Sequence, residues 1–280
     1  MLTQSQLVGS QITRNMLSRI ESDEANPSLS TLLYLAQRLG VPAGYLLADQ
    51  KEDAVYAKSF VLENIKRAHE SGDHRICLSL CADSGLDDDE VFLLAAESAF
   101  CVAVEEFDKG ALRRAVDFFD EAIGYCDRSS YYTEHVRAGA CMYIRYMRRL
   151  SPNLSSSVVD ETEVEPYCAM DNTFCRYIYA VEGVENSHTT FVRAFVESGD
   201  REAPTVLHLG AKIDMAHGKY RLANLKLSRV LTNPYEVSRP VLYAVFADLE
   251  QCCKATGDFK GAYEYSTTKL DLLQKMLTQD

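Results

Sequence analysis

Four polar side chains share one face of the segment from Thr13 to Glu21. They fall within about 140° on a helical wheel of about 100° per residue, and they are Arg14, Asn15, Ser18 and Arg19. Arginine pairs bidentately with guanine and asparagine with adenine, while serine is a short group that adapts to either base or phosphate. The opposite face is apolar, and Thr13 suits the N-cap. The segment therefore predicts a helix that contacts bases or, taken alone, an ordinary amphipathic surface helix.

Other reactive residue types are dispersed along the chain. There is no H-E-x-x-H, Walker, dinucleotide-binding or G-x-S-x-G motif, so we expect no enzyme and no cofactor. Nine cysteines without a C-x-x-C pair are typical of small buried residues in a reducing compartment. One cluster combines the ligands that zinc prefers, but its spacing fits no common zinc motif, and we predict no metal site there. Its members are His69, His74, Cys77 and Cys81.

The composition favours a helical protein with a substantial core. Apolar residues make up 47% of the 280 residues, with only 7 Pro and 14 Gly. Apolar runs are far shorter than the roughly 18 residues of a membrane-spanning helix, and no secretory signal precedes Gln11. We therefore expect an all-α, cytoplasmic protein without membrane contact.

Negative charge is concentrated outside the first 49 residues. The whole chain has a net charge of -12, from 29 basic and 41 acidic residues. Residues 1–49 hold three of the basic residues and four of the acidic ones, which leaves 26 and 37 for the remainder. Because phosphate contacts are local, an acidic body does not prevent a nearly neutral N-terminal module from docking on DNA.

Capping residues predict two further helices around this segment. Thr3 suits the N-cap of a short helix in "LTQSQLV", and Ser28 follows the Asn26-Pro27 break as the cap of a longer one. The apolar residues of that longer helix recur at helical spacing and are Leu29, Leu32, Leu33, Ala36 and Leu39. Gly40 then predicts its end, and Pro42 opens a last short turn.

These motifs, in this order, resemble the helix-turn-helix domain of Cro and phage repressors, the XRE family, over Leu2 to Leu47. The resemblance implies that Gln4 contacts a phosphate and that Thr13 to Glu21 is the recognition helix in the major groove of an operator. Two departures stand out. The link before the recognition helix is about one residue shorter, and Met1 stands where the family's first helix should end. We therefore expect an N-terminally truncated domain, 1–49, with apolar residues short of partners at Leu7, Leu17, Ile20 and Leu32.

The rest of the chain repeats one pattern, in which a glycine joins two helices and a small residue follows five positions later. The glycines are Gly72, Gly110, Gly218 and Gly257, and the small residues are Cys77, Ala115, Ala223 and Ala262. The pattern resembles tetratricopeptide repeats, which pair helices around a tight turn and a close crossing. After a linker at 50–58, we predict a superhelical body at 59–280, with an irregular register between 150 and 200.

A chain with a repressor-like head and a tetratricopeptide-like body resembles bacterial peptide-sensing regulators. This resemblance implies a homodimer that binds double-stranded operator DNA and senses a peptide or protein on the concave side of the superhelix. Tyrosines on that side would stack on a peptide, and the candidates are Tyr143, Tyr146 and Tyr177. The alternative is a protein-interaction adaptor whose helix-turn-helix remnant no longer binds DNA.

Overall fold

The computed structural model describes residues 3–47, 53–156, 166–186, 189–232 and 237–278. Within these ranges the chain forms α-helices and two short 3-10 helices, without a β-strand. The predicted all-α class is confirmed.

The N-terminal head contains three α-helices and a 3-10 helix. They are α1 (Gln4–Val8), α2 (Arg14–Glu21), α3 (Leu29–Leu39) and the 3-10 helix Ala43–Leu46. The three predicted caps, Thr3, Thr13 and Ser28, each accept a hydrogen bond from the backbone N–H three residues further on. Gly40 ends α3 in the left-handed conformation. Local capping chemistry therefore sets the ends of these helices, as predicted.

The buried face of α3 differs from the predicted one. Leu32 and Ala36 are buried together with Leu35, whereas Leu29, Leu33 and Leu39 of the predicted apolar set are exposed. Leu17 and Leu32, which we expected to lack partners, are also buried, while Leu7 and Ile20 are half-buried. The expectation was wrong for Leu17, which packs with Ile12 and Leu35, and for Leu32, which is buried as well.

The body begins with α4, at Asp53, inside the predicted linker 50–58. Residues 53–58 are therefore helical, as their Ala-rich composition permits, and residues 50–52 lie outside the described ranges. The helices are α4 (Asp53–Glu70), α5 (His74–Ser84), α6 (Asp89–Lys109), α7 (Leu112–Arg128), α8 (Glu134–Leu150), α9 (Thr173–Glu185), α10 (Thr189–Ser198), α11 (Pro204–Ala216), α12 (Tyr220–Val230), α13 (Arg239–Thr256) and α14 (Phe259–Thr278). A 3-10 helix, Pro166–Ala169, packs against α8.

Four helix pairs turn at the glycines that the repeat pattern indicated. Gly72, Gly110, Gly218 and Gly257 have φ angles of 78°, 81°, 73° and 82°, a region that L-residues with side chains rarely adopt. The small residues five positions later are all buried, which lets the paired helices cross closely. In the irregular region, α9 and α10 also pack together, and residues 157–165 of the polar connection lie outside the described ranges.

Five helices of the body form a closed ring. In the order α6, α8, α9, α11 and α13, each packs on the next, and α13 packs back on α6. The last helix, α14, also packs on α7. One continuous hydrophobic core runs from Ala103 to Met276 as a result. An open concave groove was expected, and the ring closes it.

Gly110 lies at the seam where this ring closes. A Cβ atom there would be 2.8 Å from Cδ of Arg239 and 2.9 Å from Cγ of the buried Met276. Gly110→Ala is expected to lower the free energy of unfolding by about 2–4 kcal/mol, because steric overlap adds to backbone strain. Gly218→Ala is the matched control, since its φ is also positive but nothing lies within 4 Å of a Cβ. Urea denaturation measures both, and equal losses would show that the seam tolerates a methyl group.

Candidate DNA-binding surface

Helix α2 presents the polar face that the sequence predicted. The Thr13 hydroxyl accepts a hydrogen bond of 3.2 Å from the Met16 N–H and so fixes the start of the helix. The side chains of the predicted contact residues are all exposed, and these are Gln4, Thr13, Arg14, Asn15, Ser18 and Arg19. The surface therefore combines a helix N-terminus, two guanidinium groups, an amide and hydroxyls, which suits both phosphates and base edges.

A small apolar cluster holds α2 in place. Leu17 is 2% exposed and packs with Ile12 and Leu35, and further apolar side chains border them. The bordering residues are Leu7, Val8, Tyr34 and Leu46. The orientation of the polar face thus depends on a small cluster that contains three buried residues.

The link between α1 and α2 is fixed by a close approach at Gly9. The Tyr34 hydroxyl donates a 3.1 Å hydrogen bond to the Val8 carbonyl. A Cβ on Gly9 would be 2.0 Å from that hydroxyl oxygen, and Gly9 has a φ of 51°. Glycine is required here on both counts.

Two of the predicted contact residues are engaged within the head. Nε2 of Gln4 donates a 2.6 Å hydrogen bond to Oε2 of Glu21. The guanidinium of Arg14 donates to the Ser5 hydroxyl. Both bonds join exposed groups, so DNA phosphates can replace them at little cost. Sequence patterns did not indicate that Glu21 would lie beside Gln4, because the two residues are on different helices.

Arg38, the third arginine of the head, joins two helices of the head and is not part of the polar face of α2. Its guanidinium donates to the carbonyl of Gln6, near the C-terminal end of α1, and so joins α3 to α1. A cation is favourable at a helix C-terminus. Arg14 and Arg19 are therefore the arginines of the head that face outward from α2.

Residues 1–46 match the family model for the helix-turn-helix domain. The head is thus a helix-turn-helix, a DNA-binding fold, in agreement with the predicted resemblance. No curated protein and no solved structure is significantly similar to the chain.

The four residues that were considered and rejected as zinc ligands lie in two different environments. His69 and His74 line a cavity of about 360 Å³, whereas Cys77 and Cys81 are buried within α5. Across the described ranges, no three His, Cys, Asp or Glu side chains are arranged to hold a metal ion. Among the same residues, no helix is both long and apolar enough to cross a membrane.

The three tyrosines predicted to bind a peptide are buried, which corrects their assignment to an open surface. Tyr143 lies in an aromatic cluster, where its ring centroid is 4.9–5.0 Å from those of Phe107, Phe119 and Phe174. Burial raises the pKa of Tyr143 well above its ordinary value. The physical reason for Tyr143 is packing between neighbouring helices, because these three rings belong to α6, α7 and α9.

Tyr146 and Tyr177 form part of a small cleft inside the ring. The cleft has a volume of about 160 Å³ and lies between α8, α9, α11 and α13. The Tyr177 hydroxyl is 2.6 Å from Nδ1 of His208, and Nε2 of His208 is 2.8 Å from Oδ2 of Asp248. Lys212 Nζ lies 3.2 Å from the same carboxylate oxygen. A connected polar network therefore forms the base of the cleft.

The charge states in this network follow from its geometry. Burial lowers the pKa of His208, so the ring is neutral and its Nε2–H donates to Asp248 while Nδ1 accepts from Tyr177. Burial alone would raise the pKa of Asp248, but the His208 hydrogen bond and the Lys212 charge outweigh it and hold this pKa below its ordinary value. The sequence reasoning missed both residues. Their separation of 40 positions, about one repeat period, was the signal available.

Proposed function

We propose that this protein is a DNA-binding transcriptional regulator whose body dimerises and senses a peptide or protein ligand. One observation carries the DNA-binding part: in a head that matches the helix-turn-helix family, α2 exposes a continuous polar face while Leu17 buries the opposite one. Helix α2 would enter the major groove with its N-terminal residues toward the bases.

Side-chain chemistry assigns different DNA contacts to different residues of α1 and α2. Asn15 and Arg14, in the first turn, would contact base edges, since amide and guanidinium groups pair bidentately with purines. Gln4 and the α2 N-terminus would contact phosphates, which favours a fixed docking orientation. Because Glu21 accepts a hydrogen bond from Gln4, its carboxylate would have to move away from the phosphate that Gln4 contacts.

An exposed apolar stripe supports dimerisation. Phe259 and Tyr263 on α14 are each 74% exposed, and Leu270 on the same face is also exposed. Their spacing of four and seven residues places them within about 40° on the helix. Pairing this stripe with a second copy would remove apolar surface from water. Light scattering of the purified chain measures the mass in solution.

The ligand-sensing part is supported by the cleft inside the ring. Because four ring helices line it, a ligand bound there would contact four helices at once. Small changes in their packing would reach α14 through α13, against which α14 packs. Such a path links ligand binding to the proposed dimer stripe.

Gel-shift assays with fragments of the source genome test the DNA-binding proposal. Wild-type protein is expected to retain a small set of fragments. Arg14→Ala and Asn15→Ala should each weaken binding by roughly tenfold to a hundredfold, the effect of losing one bidentate base contact of about 1–3 kcal/mol. Arg221→Ala, an exposed arginine on α12, is the matched control. Equal affinities for all four proteins would contradict the proposed role of α2.

The exposed leucines of the head favour one second candidate, an interaction adaptor. Leu29 and Leu33 are one turn apart on α3 and are both exposed, as a protein-docking face would be. In that case the protein would capture a partner from nuclease-treated lysate and retain no DNA fragment. Leu33→Glu would abolish the capture.

A further inference from the structure

The cavity that His69 and His74 line is separate from the cleft inside the ring. It lies where α4, α5, α6 and α8 meet the 3-10 helix that precedes α9. Its volume of about 360 Å³ falls within the range of about 300–1,000 Å³ that is typical of small-molecule sites. Phe100, Val136 and Ala169 give it apolar walls. The cavity therefore has room for a ligand with an apolar body, equal in volume to about a dozen water molecules of roughly 30 Å³ each.

The lining of this cavity is negatively charged. It contains the carboxylates of Glu97 and Asp171 but no lysine or arginine. The Glu97 side chain is 31% exposed, and Asp171 is exposed as well, so both are open to a ligand. Among the residues that the structure describes, neither carboxylate forms an ion pair with a lysine or arginine. Because this charge is not compensated by the protein, a cation suits the cavity better than a neutral molecule or an anion.

Glu97 retains an oxygen that can accept a hydrogen bond from a ligand. Its Oε2 lies 3.0 Å from Nε2 of His69, whereas its Oε1 lies 3.7 Å from Nε2 of His135. The longer distance is beyond that of a hydrogen bond. An imidazole is positively charged only when it is protonated, and a neutral imidazole leaves the charge of a neighbouring carboxylate in place. Oε1 of Glu97 is therefore available to an ammonium group.

An exposed aromatic ring borders the mouth of the cavity. Tyr132 is 69% exposed, and its ring stacks on that of His135 with 6.2 Å between the centroids. Its hydroxyl lies 3.8 Å from Sγ of Cys168. His135 and Cys168 both line the cavity. Since the face of a tyrosine ring attracts organic cations, the mouth favours the same sign of charge as the carboxylates inside.

We propose that this cavity binds an organic ammonium ion, an amine whose apolar body packs on Phe100 and Val136. The ammonium group donates to Oε1 of Glu97 and is attracted by Asp171. A free amine or the lysine side chain of a peptide would supply this chemistry. The site lies outside both the DNA-binding head and the ring cleft, so its occupation requires neither DNA nor the proposed dimer.

Isothermal titration of the full chain at pH 8 tests the proposal with ligands that differ in charge but little in shape. The probes are hexylamine and 2-phenylethylamine, the alcohols 1-hexanol and 2-phenylethanol, and the anion phenylacetate. At least one amine is expected to bind saturably, roughly tenfold or more tightly than its alcohol, and phenylacetate should bind most weakly. No binding of either amine at millimolar concentration, or equal affinities for amine and alcohol, would overturn the proposal.

A further arm of the same titration distinguishes the two sources of the ammonium group. N-acetyl-lysine amide has the side-chain ammonium of a peptide lysine without a free terminus. Tighter binding of this compound than of hexylamine would assign the site to a peptide, and the reverse would assign it to a free amine. Either result supports an ammonium site.

Three variants separate a ligand contact of Glu97 from a structural role. Glu97→Gln keeps the size of the side chain but removes its charge, and should weaken amine binding by roughly tenfold or more. His69→Leu removes the imidazole beside Glu97 and leaves the carboxylate, so affinity should stay the same or rise. Glu70→Gln removes an exposed carboxylate that does not line the cavity, and should change affinity little. Equal losses for Glu97→Gln and His69→Leu, or no loss for Glu97→Gln, would overturn the proposal.

Asp171→Asn provides a second measure at an exposed position, where substitution leaves the fold intact. It is expected to weaken amine binding by several-fold, because an exposed carboxylate attracts a cation less strongly than a partly buried one. Unchanged affinity would show that Asp171 does not attract the ligand. If an amine binds but no genomic fragment does, the DNA-binding function fails and this site remains.

Discussion

Asp248→Ala is expected to lower the free energy of unfolding by about 3–5 kcal/mol. The carboxylate of Asp248 accepts from the fully buried His208 and pairs with Lys212. Its removal leaves an N–H donor and an ammonium group without their acceptor, in a region that water reaches poorly. Urea denaturation monitored by circular dichroism at pH 7.5 measures the loss.

Two comparison variants show whether burial is the cause. Glu202→Ala breaks the ion pair with Arg229, in which both side chains are more than half exposed, so it should cost less than about 1 kcal/mol. His208→Gln retains a donor for Asp248 and an acceptor for Tyr177, and should cost less than Asp248→Ala. Similar losses for Asp248→Ala and Glu202→Ala would contradict the network's contribution.

The same network gives stability a defined dependence on pH. His208 has a lowered pKa in the fold, so below about pH 6.5, the ordinary histidine value, the unfolded chain binds a proton that the folded chain does not. Stability is therefore fully present above that pH and declines as the pH falls. The lowered pKa of Asp248 acts in the same direction at more acidic pH, where its stabilisation is lost as the pH falls through the folded pKa. His208→Gln should flatten the decline just below pH 6.5.

Features set by local chemistry were predictable from the sequence, and those set by contacts between distant helices were not. Thr13 and Ser28 cap their helices because a hydroxyl satisfies a free N–H wherever a helix begins. Gly218 allows the tight turn between α11 and α12 because only its own backbone has to adopt the left-handed conformation. By contrast, the buried side of α3 depends on where α1 and α2 lie, so the wheel selected Leu29 and Leu33 in error.

The ring closure had no signal in any single segment. Tyr143 is buried by rings on α6, α7 and α9, and Tyr177 by contacts with α8 and α11, so their burial joins helices that are distant in the sequence. The partnership of His208 with Asp248 likewise joins different helices. The separation of 40 residues is close to the repeat period, but it could not indicate that both side chains would face the ring interior. A periodic sequence predicts that each repeat packs on the next one. Closure of the ring depends instead on the angles between successive repeats, added over the whole series.

Leu17→Ala is expected to unfold the head while leaving the body intact. Leucine-to-alanine changes at buried sites cost about 2–5 kcal/mol, and the cluster around Leu17 contains only two other fully buried residues, Ile12 and Leu35. None of the three belongs to the body's hydrophobic clusters, so the loss stays local. Hydrogen exchange should show α2 and α3 unprotected, with α6 and α13 unchanged.

Leu29→Ala is the matched control in the same head. Leu29 is 68% exposed, so its truncation should change exchange and DNA affinity little. The sequence pattern treats both leucines as apolar-face residues, and the structure separates them by burial alone. If α2 is a recognition helix held by this cluster, Leu17→Ala removes DNA binding although it alters no side chain of the polar face. Retained binding by a head that no longer protects its amides would show that DNA contact does not depend on the folded orientation of α2.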